Sequence, residues 1–136
     1  MGIKKSTDII KYLMDKKFEH PSYKMKNFYA FCINGRRFDE LEFFDTSYGT
    51  NFKWMFYNCN NLTSIPQLNT SKGENFYYMF YLCQKLTSIP ELDTSNGTDF
   101  ESMFNGCTNL VSVPRLNVGK GVYFNNMFKD CKSLQE

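Results

Sequence analysis

The chain has 136 residues, enough for one domain with one continuous core, and a net charge of +2, too weak to point to nucleic acid by itself. Its apolar residues include 14 Phe and 9 Tyr but a single alanine, Ala30, so large rings at few positions must fill the core. No apolar run reaches the ~20 residues of a membrane span, and the start, Met1-Gly2-Ile3-Lys4-Lys5, lacks the apolar stretch of a secretion signal.

Residues 1–27 precede the regular part of the chain. The first 26 hold seven Lys against Asp8, Asp15 and Glu19, a net of +4, which leaves −2 for the rest. Ile9, Ile10, Leu13, Met14 and Phe18 form a helical apolar stripe over residues 7–18. Ser6 or Thr7 can cap its start, and His20-Pro21 should end it. The expected role is an N-terminal capping helix on the first coil. The alternative is a basic amphipathic helix offered to a partner or an anionic surface.

From Phe28 onward the sequence repeats every 24 residues. Phe recurs at Phe28, Phe52, Phe76, Phe100 and Phe124, and Met-Phe follows at Met55-Phe56, Met79-Phe80, Met103-Phe104 and Met127-Phe128. Cys59, Cys83, Cys107 and Cys131 come next, then Leu62, Leu86, Leu110 and Leu134, then Ile65-Pro66, Ile89-Pro90 and Val113-Pro114. Gly49, Gly73, Gly97 and Gly121 close the units, which run 28–51, 52–75, 76–99, 100–123 and, in part, 124–136. The first unit is degenerate: Phe31-Cys32 stands where Met-Phe should, and Gly35 replaces the cysteine.

Within a unit, Phe, Met, Phe and Cys fall at i, i+3, i+4 and i+7, which predicts a short helix. The following Leu-x-x-Ile-Pro-x-Leu predicts a brief strand, and Asp93-Thr94-Ser95-Asn96-Gly97 with its counterparts predicts a turn. One unit cannot bury its own apolar face, but stacked units can. The expected fold is therefore α/β: a leucine-rich-repeat-like right-handed solenoid of about four to five coils, each with a short helix and a short parallel strand. Each kind of inward residue then forms its own column.

The unit Phe-x-x-Met-Phe-x-x-Cys-x-x-Leu-x-Ser-Ile-Pro-x-Leu-Asp-Thr-Ser, best seen from Phe76 to Ser95, resembles the BspA-type leucine-rich repeat over residues 28–136. Members of that family are mostly surface or secreted proteins of low-GC bacteria and protozoa, and similar repeats occur in bacteriophage proteins. The resemblance implies a parallel-strand solenoid with an adhesion or protein-binding role, and it transfers no catalytic residue. The lack of a secretion signal at this N-terminus departs from the surface-protein pattern and points to a cytoplasmic or virion location.

No catalytic, metal or cofactor constellation is expected. The cysteines lie 24 apart and His20 is the only histidine, whereas structural zinc sites use close pairs. A packed column of thiols explains them better. The positions that vary between repeats carry more information. On the predicted helices the outward residues read Lys53-Trp54, Tyr77-Tyr78, Glu101-Ser102 and Asn125-Asn126, and then Tyr57, Tyr81, Asn105 and Lys129. Stacking should place Trp54 beside Tyr78 and Tyr57 beside Tyr81, with Tyr77 adjoining, as an aromatic anchor for a partner. The opposing reading is that the N-terminal segment folds over these rings. A strand-side position reads Phe43, Gln67, Glu91 and Arg115. Gln67, Glu91 and Arg115 join the partner-binding candidates.

These readings lead to a non-enzymatic interaction module whose partner is a protein, engaged through the rings or through an uncapped C-terminal end. That end would also serve self-association or docking on a larger assembly. The alternatives are a bacteriophage virion or assembly component, and a fragment of a surface adhesin that binds host protein or glycan.

Overall fold

The computed structural model describes residues 24–135. The helix expected over residues 7–18 lies outside the described residues. Residues equivalent under the repeat lie side by side, one coil on the next. Single parallel bridges join Asn27 to Asn51, Asn51 to Asn75, Asn75 to Asp99 and Asp99 to Tyr123. After each bridge, every second N–H donates to the following coil. Phe52, Trp54, Phe56 and Asn58 donate to the carbonyls of Asn75, Tyr77, Met79 and Tyr81 at 2.9, 2.9, 2.8 and 2.7 Å. The same set recurs from Phe28, from Phe76 and from Phe100.

This pattern corrects the helix expectation. The intervening N–H groups close short turns instead: Met55 donates to Phe52 at 3.2 Å, Tyr57 to Trp54 at 3.1 Å and Cys59 to Phe56 at 3.3 Å. Positive φ recurs on the way, 62° at Trp54 and 59° at Asn58, as the third residue of a type II turn requires. A helix would spend all its N–H groups within one coil. Turns leave half of them free to join the next coil while keeping Phe, Met, Phe and Cys on one side.

The strand expectation is corrected as well. Pro66, Pro90 and Pro114 have no N–H to offer a ladder. Among the described residues, the backbone bonds crossing between these stretches are Val111 N–H to Thr87 and Gln135 N–H to Val111, both at 3.0 Å. Parallel pairing sits just before each repeat Phe instead. The first coil departs further, since Phe38–Phe43 winds into a 3-10 helix.

The core is built of like on like. Rings of Phe28, Phe52, Phe76, Phe100 and Phe124 stack in sequence at 5.5, 5.8, 5.6 and 5.6 Å, all within 10° of parallel. A second column runs Phe56, Phe80, Phe104, Phe128 at 5.3 to 5.4 Å. Such spacings suit offset stacking, in which the negative face of one ring avoids that of the next. Met55, Met79 and Met103 are fully buried beside them. Buried Thr70 and Thr94 donate to Asp93 and Asn117 carbonyls at 2.7 Å, so the polar column satisfies itself between coils. The turn glycines fit tightly: a Cβ on Gly73 would sit 2.6 Å from the Phe76 ring, 3.0 Å from the Thr70 carbonyl and 3.1 Å from the Phe52 ring.

The cysteines are free thiols. Those of Cys59, Cys83, Cys107 and Cys131 donate to the carbonyls of Cys32, Phe56, Phe80 and Phe104 at 3.0 to 3.1 Å. Cys32 sits outside this series, at the head of the second ring column's register, as its place in the degenerate unit implies. Burial pushes the Cys32 thiol up from 9.0 to about 12 and that of Cys131 up to about 11.

Two measurements check this packing. Gly73→Ala should cost ~1–3 kcal/mol through forced movement of two rings, read as a lower midpoint in urea. The raised thiols also set a sign: the unfolded chain ionises them near pH 9, the folded chain does not, so stability falls as pH rises from about 9 toward 12. A flat stability profile across that window would contradict the burial of the thiols.

Candidate functional site

The repeat positions that escape the core gather into two places. The first is a cluster of rings on the turns of the second and third coils. Trp54 and Tyr78 occupy left-handed turn positions, with φ of 62° and 55°. Trp54 lies 6.2 Å from Tyr78 and stacks on Tyr57 at 4.8 Å. Tyr57 stacks on Tyr81 at 4.9 Å, Tyr78 contacts Tyr81 at 5.0 Å, and Tyr77 meets Tyr78 edge-on at 4.2 Å. Tyr29 of the first coil adds to the cluster at 5.7 Å from Trp54. The Lys53 ammonium caps the faces of Tyr77 and Tyr29 at 4.8 and 5.9 Å.

All five ring residues singled out by the sequence thus join one contiguous cluster, and each is half-buried. Tyr29 was overlooked there, although it is the exposed aromatic one repeat before Lys53. Burial, then the neighbouring Tyr81 and Tyr78, raises the phenol of Tyr57 above its usual range. Burial and then Tyr78 do the same to Tyr77. The Trp54 indole N–H is buried with no hydrogen-bond partner among the described residues. In the fourth and fifth coils the same positions are Glu101, Ser102, Asn105, Asn125, Asn126 and Lys129, so the ring surface ends at the third coil.

The second place holds the strand-side column. Gln67, Glu91 and Arg115 are exposed and border one groove of about 810 Å³, together with Asn69, Ser71 and Asp93. The Gln67 amide donates to the Glu91 carbonyl at 2.6 Å. The Ser95 hydroxyl, and then its N–H, hold the Asp93 carboxyl below the usual range. None of the clustered rings lines this groove, so the sequence candidates divide between two separate surfaces.

A third feature was not read from the sequence. The gap between the first coil's 3-10 helix and residues 58–64 is a cavity of about 480 Å³, lined by Asn34, Phe38, Asp39, Asn58 and Asn61 among others. Its signal was available: Asn58-Cys59-Asn60-Asn61 departs from Leu82-Cys83-Gln84-Lys85 opposite the one irregular unit. Among the described residues, no three His, Cys, Asp or Glu side chains converge as a metal site would need.

Residues 23–136 match the family described as "Mycoplasma protein of unknown function, DUF285". The chain belongs to that family. The match spans all five repeat units, the ring cluster, the strand-side groove and the cavity. No curated protein and no solved structure matches the chain. No helix among the described residues is long and apolar enough to cross a membrane.

The orphaned indole makes a direct test of this geometry. Trp54→Phe removes an unsatisfied donor while keeping a ring in place, so stability should change by no more than ~1 kcal/mol in either direction. A larger loss in a urea titration would mean that the indole N–H has a partner.

Proposed function

We propose that this member of the DUF285 family is a non-enzymatic module that binds a partner protein through the ring cluster at Trp54, Tyr57, Tyr77, Tyr78 and Tyr81. The contiguity of that cluster carries the reading: five rings from two coils touch, while the same positions two coils later are small, polar or charged. The buried columns demand one residue at every turn. The ring positions do not, so their aromatics are free to serve recognition. Tyr and Trp offer large, stiff contact area at low entropic cost. Gln67, Glu91 and Arg115 form a second, polar surface suited to orienting a partner. The architecture is read as a right-handed solenoid of the leucine-rich-repeat kind, related to BspA-like repeats. Its 24-residue register and its ring columns support that reading.

A second reading, an assembly component such as a virion subunit, is favoured by the coil at residues 118–135. Val122, Tyr123, Phe124 and Phe128 are 64, 57, 40 and 39% exposed, and apolar side chains around Phe124 and Phe128 enclose a cavity of about 510 Å³. The N–H groups of Phe124, Asn126, Phe128 and Asp130 have no counterpart to donate to among the described residues. This surface suits a coil of the same chemistry, and this reading takes a second copy as its occupant. In light scattering, concentration-dependent association lost in Phe124→Lys would support it; a monomer at all concentrations would remove it.

The leading reading is tested with the immobilised chain and extract of its source cell. The variant carrying Trp54→Ala, Tyr57→Ala and Tyr78→Ala should lose a protein that the parent retains, while keeping the parent's circular dichroism. Retention of the same protein by the variant would overturn the site. A stability loss beyond ~3 kcal/mol would place the rings in the core instead.

A further inference from the structure

We propose that the cavity between the first and second coils is a binding site for a neutral carbohydrate. It is separate from the ring cluster and does not depend on the protein-binding reading.

The cavity exists because the first coil breaks the repeat. Gly35 and Arg37 take positive φ values of 80° and 56°, which their equivalents Cys59 and Asn61 do not, and the chain then winds as a 3-10 helix from Phe38 to Phe43. The later coils run through a Leu-x-x-Ile-Pro or Leu-x-x-Val-Pro stretch without helix at this point. Leu41 keeps the inward contact and is buried, so the core is closed beneath the irregular turn. Phe38 and Asp39 border the resulting space from one side and residues 58–64 from the other. Its volume, about 480 Å³, falls within the ~300–1,000 Å³ usual for small-molecule sites.

The chemistry of the lining selects the ligand class. Four carboxamides, Asn34, Asn58, Asn60 and Asn61, share the wall with the Thr63 and Ser64 hydroxyls. The Asn58 amide donates to the Asn34 carboxamide oxygen at 2.9 Å, which ties the two coils together beside the cavity. That bond leaves the Asn34 amide as donor and the Asn58 oxygen as acceptor. A wall of groups that both donate and accept matches a ring bearing several hydroxyls, each of which also does both.

Other classes fit worse. An anion would face the Asp39 carboxylate with no cationic side chain in the lining. A cation would find one carboxylate, too few to replace its water. An apolar ligand would strip water from the carboxamides without pairing them. Phe38 is half-buried and supplies the apolar surface on which the C–H face of a sugar ring rests.

The probe is a set of neutral sugars: glucose, galactose, mannose, N-acetylglucosamine, maltose and cellobiose, each at tens of millimolar. Saturation-transfer NMR on the full chain should show magnetisation passing to at least one of them. Asp39 and Asn61 are both exposed, so Asp39→Ala with Asn61→Ala should leave the melting profile unchanged. It should weaken binding of that sugar by ~10-fold or more, the equivalent of ~1.4 kcal/mol. Trp54→Ala should leave the sugar signal intact. No transfer to any of the six, or an unchanged signal in the double variant, would overturn the proposal. So would a signal lost in Trp54→Ala, which would move the sugar to the rings. Tighter binding of an acidic sugar such as N-acetylneuraminic acid than of its neutral counterparts would overturn the neutral assignment.

Discussion

Each of the first four coils depends on the alternation of its N–H groups between two uses. One set closes turns within the coil and the other reaches the carbonyl 23 residues ahead. Because backbone donors are obligatory, a segment that spends only half of them locally must find a neighbour for the rest. The repeat supplies that neighbour at a constant offset. The stacking of Phe on Phe and the lining up of thiols follow from this register. The rings add apolar burial, but the backbone decides where each ring lies.

Much of the stacking was legible in the residues. The constant spacing of Phe28, Phe52, Phe76 and Phe100 allowed their column to be anticipated, and so was the meeting of Trp54 with Tyr78 and of Tyr57 with Tyr81. The local backbone was not legible. Apolar residues at i, i+3, i+4 and i+7 line one face of a helix, yet a chain of linked four-residue turns also returns to the same side about every four residues. The choice is made by bonds between coils, which no window of one coil contains. One clue lay across the repeats: Asn34, Asn58, Leu82, Gly106 and Asp130 share a position with positive φ, and four of these five residues, all but Leu82, are of types that tolerate it readily. The companion position, with Ala30, Trp54, Tyr78, Ser102 and Asn126, gave no such hint.

The candidate surfaces follow the same division between what the stack demands and what it leaves free. The ring cluster stands on turn positions that the columns do not use. The strand-side groove was anticipated only as a column of exposed residues, because the Gln67 bond to the Glu91 carbonyl joins neighbouring coils. The cavity beside Phe38 escaped a reading based on periodicity, since it arises where the period lapses. Irregularity in one coil is therefore as informative about binding as regularity is about packing.

Sameness along the columns has a cost in addressing. The inner face of the third coil meets Phe, Met, Phe and Cys above it and the same four residue types below. Its core contacts cannot distinguish one neighbour from the other, nor its own chain from a second one. Correct order rests on the covalent connection between coils and on the odd first coil, whose 3-10 helix and Cys32 fit no other level. Two molecules folding together in a crowded cell thus share an interchangeable grammar, and the first coil is the word that marks where a sentence begins.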